Sequence, residues 1–351
     1  MRRRSTDLRR GLLSLAVLLT AGSQAFAGRA SDLAHRWIAS EKSAQYRAVG
    51  SWEERQCDGH MATASIELRR RPGAIWVRVT RGTPAAQGVQ YADTGQGVDI
   101  WVPSEKRLYK LKEATAAMAV PRLYGIEPAA AQGEMRYVGE ETIANRPAYR
   151  LRIALKTRRP VVHDVWVDKA RFVALKIATQ HGGRPWRVMQ FDHFNGEAEL
   201  GDDDFRVQAP DDAKVVQGGA GRRAEPVRIG SAQDAAQQYG VRVMSPTWLP
   251  AGYAFDAVLT SQPHPAGLLR RRILVRFVKG DRVLVLMMGQ TGPKTEADED
   301  EPDTPTKPTE VKPGLFLWVK EAVRLVLVGP RDIDGGELRR CAESVTWHDA
   351  G

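Results

Sequence analysis

Met61-Ala-Thr-Ala-Ser-Ile-Glu-Leu-Arg-Arg70 is the stretch on which the fold turns. In an extended chain Ala62, Ala64, Ile66 and Leu68 fall on one side, and Thr63, Ser65, Glu67 and Arg69 on the other. A period of two marks a strand with one apolar and one polar face. The pattern recurs downstream at Ile75, Val77 and Val79, then at Val98, Ile100 and Val102. Tyr149, Leu151, Ile153 and Leu155 then alternate with Arg150, Arg152 and Ala154, and Val161–Asp168, Val173–Thr179 and Trp186–Phe194 extend the series. Turn residues punctuate it at Arg71-Pro-Gly73, Thr94-Gly-Gln-Gly97, Asn145-Arg-Pro147 and His181-Gly-Gly183. Runs of this kind predict antiparallel pairing, and a sheet with one apolar face must cover that face. Two segments are available as cover. Residues 29–43 place Leu33, Trp37 and Ile38 on one helical stripe, with Ser31-Asp32 as capping residues, and Glu113–Tyr124 is rich in alanine, Met118 and Leu123 until Pro121 kinks or ends it. The expectation is an α+β protein: one large curved antiparallel sheet whose concave face is capped by helices, followed by a smaller α+β C-terminal domain.

The chain has 351 residues, enough for about two domains. Asp202-Asp-Asp-Phe205 closes the first body, which spans 28–209, and residues 210–230, with Gly218, Gly219 and Gly221, read as a flexible linker. The second body, 231–351, opens on a helical pattern at Ser231–Gly240 with Gly240 at its C-terminal end. Strands follow at Ala254–Gln262, Arg270–Lys279, Asp281–Gly289, Leu315–Glu321 and Arg324–Val328, and a helix over Asp334–Val345 closes the chain. Residues 291–313 hold seven acids, three lysines and five prolines, which predicts a disordered acidic loop.

Residues 1–27 read as an address. An arginine-rich start, the short apolar run Gly11–Leu19 and Ala25-Phe-Ala27 fit a cleavable signal peptide cut before Gly28. The mature protein is therefore expected in the periplasm, soluble and at most peripheral to the membrane. Five arginines and one aspartate in this segment supply +4 of the formal charge of +10, which leaves +6. That is mildly basic and argues for no nucleic-acid partner. After export, Cys57 and Cys341 are a candidate disulfide across almost the whole mature chain, or else two buried thiols.

The sequence lacks a Gly-x-Ser-x-Gly elbow, a phosphate-binding loop, a dinucleotide glycine fingerprint, His-Glu-x-x-His and Cys-x-x-Cys. His163, His181 and His193 lie on neighbouring strands, yet read as sheet and turn residues rather than metal ligands, and Asp202–Asp204 lacks the alternation of a calcium loop. No catalytic residue, cofactor or metal is expected, and the chain is not read as an enzyme. The apolar strand faces are either a packed core or the lining of a cavity for an acyl chain. Candidates for such a lining are Ile66, Leu68, Ile75, Val77, Ile100, Leu151 and Ile153, with Met118 and Leu123 from the covering segment.

Gly139-Glu-Glu-Thr-Ile-Ala-Asn-Arg-Pro-Ala-Tyr-Arg-Leu-Arg152, then Val165-Trp-Val-Asp168 and Val173-Ala-Leu-Lys176, resemble the lipoprotein-carrier superfamily that contains LolA, and within it the MucB/RseB sigma-E regulatory proteins. Asp99-Ile-Trp-Val-Pro-Ser104 is similar to that superfamily's Trp-x-Tyr-x-Pro strand, with the tyrosine replaced. Trp248-Leu-Pro-Ala-Gly-Tyr253, the Lys279-Gly-Asp281 turn, Val326-Leu-Val-Gly329 and Leu338…Ala342-Glu-Ser-Val345 resemble the small C-terminal domain of RseB-type proteins, which LolA lacks. The acidic 291–313 insertion stands outside the pattern. The resemblance implies an unclosed, LolA-like β-barrel. It also implies a non-enzymatic negative regulator that binds the extracytoplasmic part of a membrane anti-sigma factor and senses lipid or lipoprotein. The alternative is a LolA-like periplasmic carrier of lipoprotein or lipid using the same cavity.

Overall fold

The computed structural model describes residues 29–56, 58–111, 133–155, 161–218, 227–260, 273–290, 305–321, 323–330 and 332–348. Residues 1–27, Cys57, the Glu113–Tyr124 segment and residues 291–304 lie outside them.

A helix over residues 29–43, α1, opens the described chain. Leu33 and Trp37 of the expected stripe are buried together with Ala30 and Ala34, and Ile38 is partly buried against the same cluster. Ser31 and Asp32 do not cap it, because residues 29 and 30 are already helical. Eleven strands follow: β1 (Tyr46–Arg55), β2 (Met61–Arg71), β3 (Ala74–Arg81), β4 (Gln90–Asp93), β5 (Val98–Val102), β6 (Arg107–Leu111), β7 (Glu134–Ile143), β8 (Arg146–Leu155), β9 (Val161–Asp168), β10 (Ala174–His181) and β11 (Arg184–Asn195). With β12 (Lys214–Gly218) they make one sheet of twelve strands in the order β12-β6-β5-β4-β3-β2-β1-β11-β10-β9-β8-β7. Two meanders meet where β1 pairs with β11, and every pair is antiparallel except β12 with β6.

Laid flat, twelve strands would be about 50 Å across. Yet Ile100 and Tyr109 from one wing share a single buried cluster with Leu151 and Val165 from the other and with Leu33 and Trp37 of α1. The sheet is therefore curved around its apolar face, with α1 inside the curve and β12 and β7 as open edges. The outer face is covered locally: Phe205 closes over Trp76, Ala74 and Ala92. Beside it Asp204 pairs with Arg69, and Asp202 with Arg71, so the aspartate run is fixed by arginines.

A second sheet holds β13 (Val227–Ile229), β15 (Ala254–Thr260), β16 (Ile273–Lys279), β17 (Arg282–Gln290), β18 (Thr309–Lys312), β19 (Leu315–Lys320) and β20 (Val323–Val328). A two-stranded ribbon pairs β14 (Val243–Pro246) with β21 (Val345–His348). Its helices are α2 (Ala232–Tyr239), capped by the Ser231 hydroxyl and ended by Gly240 at φ +62°, and α3 (Gly335–Glu343), capped by Asp334. Both pack on one face of the sheet.

Two expectations of irregular chain are corrected. Within 210–230, β12 joins the first sheet and β13 the second, because their backbone groups add to open sheet edges. Within 291–313, Thr309–Lys312 pairs with β19 despite its charge. The two sheets meet at a small joint: Asp58 Oδ2 accepts the Arg242 N–H at 2.7 Å, and the Ala85 N–H donates to the Gln238 carbonyl at 2.8 Å. Cys341 is buried on the inner side of α3, bridged to no cysteine among the described residues, and burial pushes its pKa up to about 12.

Candidate functional site

The concave face is built in rows, because directly paired residues of adjacent antiparallel strands point to the same side. One row runs Trp52, Met189, Ile177, Val165, Leu151 across β1, β11, β10, β9 and β8, and all five are at most 2% exposed. The next row runs Glu54, Arg187, Thr179, His163, Ile153 across the same strands. It is polar. Arg187 donates to Glu54 Oε1 at 2.8 Å, and His163 Nδ1 lies 3.0 Å from Thr179 Oγ1. Burial, reinforced by the Arg187 cation, lowers the His163 pKa to about 4, so the imidazole is neutral at pH 7. The enclosed face is therefore graded from hydrocarbon to charge.

At the other end, α1 is fixed to the sheet by polar groups that interrupt the apolar faces. Glu41 is fully buried, and its Oε1 accepts the Ala174 N–H at 2.9 Å and the Trp37 Nε1–H at 3.3 Å. Arg70, also buried, donates to the Glu41 carbonyl at 3.0 Å and the Ala74 carbonyl at 3.2 Å. Burial raises the Glu41 pKa above its ordinary 4.5.

Against the end of α1 lies a cavity of about 420 Å³, and a second of about 300 Å³ shares Phe194 with it as a wall. The first is lined by Ser40, Ser43, Gln45, Tyr46 and Arg171 among others, the second by Arg47, Val49, Ala144, Asn145 and His193 among others. Tyr46, Phe191 and Phe194 form an aromatic cluster beside them, with Tyr46–Phe194 centroids 5.1 Å apart and tilted. The backbone bulges here, between Val49 and Gly50 of β1 opposite β11. A Cβ on Gly50 would stand 2.0 Å from the Gln190 carbonyl oxygen, so only glycine permits the approach.

The Asn145-Arg-Pro turn and the Trp-Val-Asp strand end meet at this rim. Ala144 and Asn145 take φ of +52° and +58°, a two-residue hairpin turn. Arg146 donates to both oxygens of buried Asp168, at 2.5 and 3.3 Å, and its guanidinium lies over Phe194. Asp168 Oδ1 also accepts the Ala170 and Arg171 N–H groups, which sets Arg171 at the first cavity.

Ile66, Leu68, Ile75, Val77, Ile100, Leu151 and Ile153 all lie in the one buried cluster, at most 3% exposed. None lines either cavity. Met118 and Leu123 fall outside the described residues. His163, His181 and His193 occupy separate settings: inside the curve, stacked on Trp186, and at the rim. Among the described residues no group of His, Cys, Asp and Glu could hold a metal ion. No described helix is long and apolar enough to cross a membrane. Missed by sequence reasoning were Glu41, Arg70, Glu54 and Arg187; the signal was present, since each interrupts an otherwise apolar face.

The geometry defines a class: a curved, unclosed antiparallel sheet with a covered concave face, joined to a second small sheet. No protein-family model matches the chain, and no curated protein matches it by sequence. Among solved structures it is similar to MucB, at 15% identity and a TM-score of 0.36, over 91% of this chain and 98% of that one. It is likewise similar to the Pseudomonas aeruginosa MucA/MucB complex, at 15% identity and a TM-score of 0.35, over 91% and 98%. A LolA superfamily protein from Nitrosomonas europaea matches at 14% identity and a TM-score of 0.26, over 51% of this chain and 97% of that one.

Proposed function

We propose that this chain is an exported, non-enzymatic binding protein of the MucB/RseB type, acting in the periplasm. Its 28–209 body holds a lipid or lipoprotein acyl chain, and the protein binds the extracytoplasmic segment of a membrane anti-sigma factor. The observation that carries the ligand half is the graded concave face. Apolar rows spanning five strands suit hydrocarbon, and the adjoining Glu54–Arg187–His163 row suits a polar end. Each methylene moved from water onto such a surface contributes about 0.8 kcal/mol. The rows are filled by side chains of α1 and the strands, so entry requires α1 to shift, and the cavities at its foot are where a shift meets least packing. The partner half rests on the sequence resemblance, which extends into the 231–351 body. A carrier that only shuttles lipid has no need of that body.

The test uses residues 28–351 with a fluorescent fatty acid, and then a pull-down from detergent-solubilised envelope. Wild type should bind the probe, and Leu151→Arg, at the β8 end of the apolar row, should abolish binding while the far-UV circular dichroism is kept. Unchanged binding by the folded variant refutes the concave site. Recovery of a single-pass protein with a cytoplasmic sigma-binding domain supports the regulator. Acylated lipoproteins recovered without it would make the protein a carrier.

A further inference from the structure

The apolar row that crosses the concave face does not stop at Leu151. On the open edge strand β7 it reaches Tyr137, the residue paired with Leu151, and two residues along β8 Tyr149 stands opposite Glu140. In a regular strand Tyr137 and Glu140, three residues apart, would point to opposite faces. A bulge between Tyr137 and Gly139, with Gly139 at φ +155°, supplies the extra residue that brings both to the concave side. Phe172, just after β9, completes a cluster: the Tyr137–Tyr149 and Tyr149–Phe172 centroids are each 6.3 Å apart, and all three rings pack on the main core. The protein's own cations lie over them. Arg29 is 4.3 Å from the Tyr137 centroid, Lys169 Nζ 5.0 Å from that of Tyr149, and Arg36 3.8 Å from that of Phe172. Glu140 pairs with both Arg29 and Lys169, and the Lys169 contact holds its carboxyl below its ordinary range. The Arg29 and Glu140 side chains remain nearly half exposed, so the cluster opens to water.

Building on the acyl-chain reading above, we infer that this cluster holds the head of a zwitterionic phospholipid, an ammonium joined to a phosphodiester by a two-carbon bridge, while the acyl chain follows the row inward from Tyr137 and Leu151. An ionised head must stay within reach of water, because burying a charge is costly. The inner row of Glu54, Arg187, Thr179 and His163 is at most 8% exposed and suits an uncharged polar group such as an ester. The open edge has what a charged head requires. Rings that already carry cations on their faces, beside a carboxylate, will take an ammonium, and the gain grows as the contact is desolvated. Arg29, Arg36 and Lys169 against the single Glu140 leave two positive charges in excess, which calls for an anion at the same place. A phosphate that draws Arg29 and Lys169 off Tyr137 and Tyr149 uncovers two ring faces and Glu140, and the ammonium of the same head fills them. A purely anionic head has nothing to put there. A purely cationic one meets the excess of positive charge.

The test is displacement of a fluorescent fatty acid from the 28–351 protein by lysophospholipids of one acyl chain, each below its critical micelle concentration, with ethanolamine, choline or glycerol heads. Wild type should bind the ethanolamine and choline lipids at least about fivefold more tightly than the glycerol lipid, the scale of a partly desolvated cation–π contact. Glu140→Gln and Tyr137→Leu should each at least halve that ratio, with the affinity for the glycerol lipid and the circular dichroism unchanged. A merely structural defect would weaken all three lipids together and leave the ratio alone. A smaller wild-type ratio overturns the headgroup site whether or not the variants fold, and so does a ratio that either folded variant keeps; in both cases the acyl-chain reading stands. Failure of the fatty acid and of every lysolipid to bind overturns both.

Discussion

His163→Asn should flatten the acid sensitivity of this protein by an amount that the structure sets. His163 sits inside the curve, 3% exposed, bonded to Thr179 and close enough to Arg187 to feel its charge. Its pKa is lowered from 6.5 to about 4, mainly by burial. Above pH 6.5 the imidazole is neutral in both folded and unfolded chains, and its contribution to stability is fully present. Between 6.5 and about 4 the unfolded chain takes up a proton that the folded chain refuses, so stability falls by about 1.4 kcal/mol per pH unit. The whole loss is about 3 kcal/mol and is complete once the pH is below the folded value. Asparagine places an amide near the position of Nδ1, so the Thr179 contact persists while the titration is removed. The assay is urea unfolding of wild type and variant at pH 7.5, 6, 5 and 4, comparing the free-energy difference between the two proteins. All other titrating groups are common to both and cancel to first order. The variant should gain about 3 kcal/mol on wild type between pH 7.5 and 4. A difference that changes by less than about 1 kcal/mol over that range refutes the buried neutral imidazole.

Two further outcomes follow from the same face. Glu41 has the opposite sign: its pKa is raised, so stability is highest with the carboxyl protonated and falls as pH rises above 4.5. Glu41→Gln should therefore gain on wild type in melting temperature as pH is raised from 4 to 7.5, and a gap that shrinks would contradict burial as the dominant cause. Gly50→Ala places a methyl 2.0 Å from the Gln190 carbonyl and should cost about 3 kcal/mol or more in urea unfolding, with a cost below about 1 kcal/mol refuting so close an approach.

The sequence by itself determined the long strands and the helix stripes, and which side of those strands is apolar. Ala64, Ile66 and Leu68 alternate as written and are all buried. The Asn145 turn, the Ser231 and Gly240 helix ends and the Lys279–Asp281 hairpin stand where turn and cap chemistry put them. These features depend on neighbours two to four positions away, which a linear pattern records. Only the tertiary structure decided which strands meet and what the polar interruptions do. Glu54 and Arg187 are 133 residues apart, and in one dimension each is merely a charge on an apolar face. They become an ion pair because β1 pairs with β11, where the two meanders of the sheet meet. Arg146 and Asp168 likewise meet through the register of β8 on β9. Glu41 and Arg70 fix α1 through backbone groups that exist as partners only after the helix has docked. Period and turn chemistry are properties of adjacent residues, whereas pairing, burial and charge compensation depend on groups that distant parts of the chain bring together.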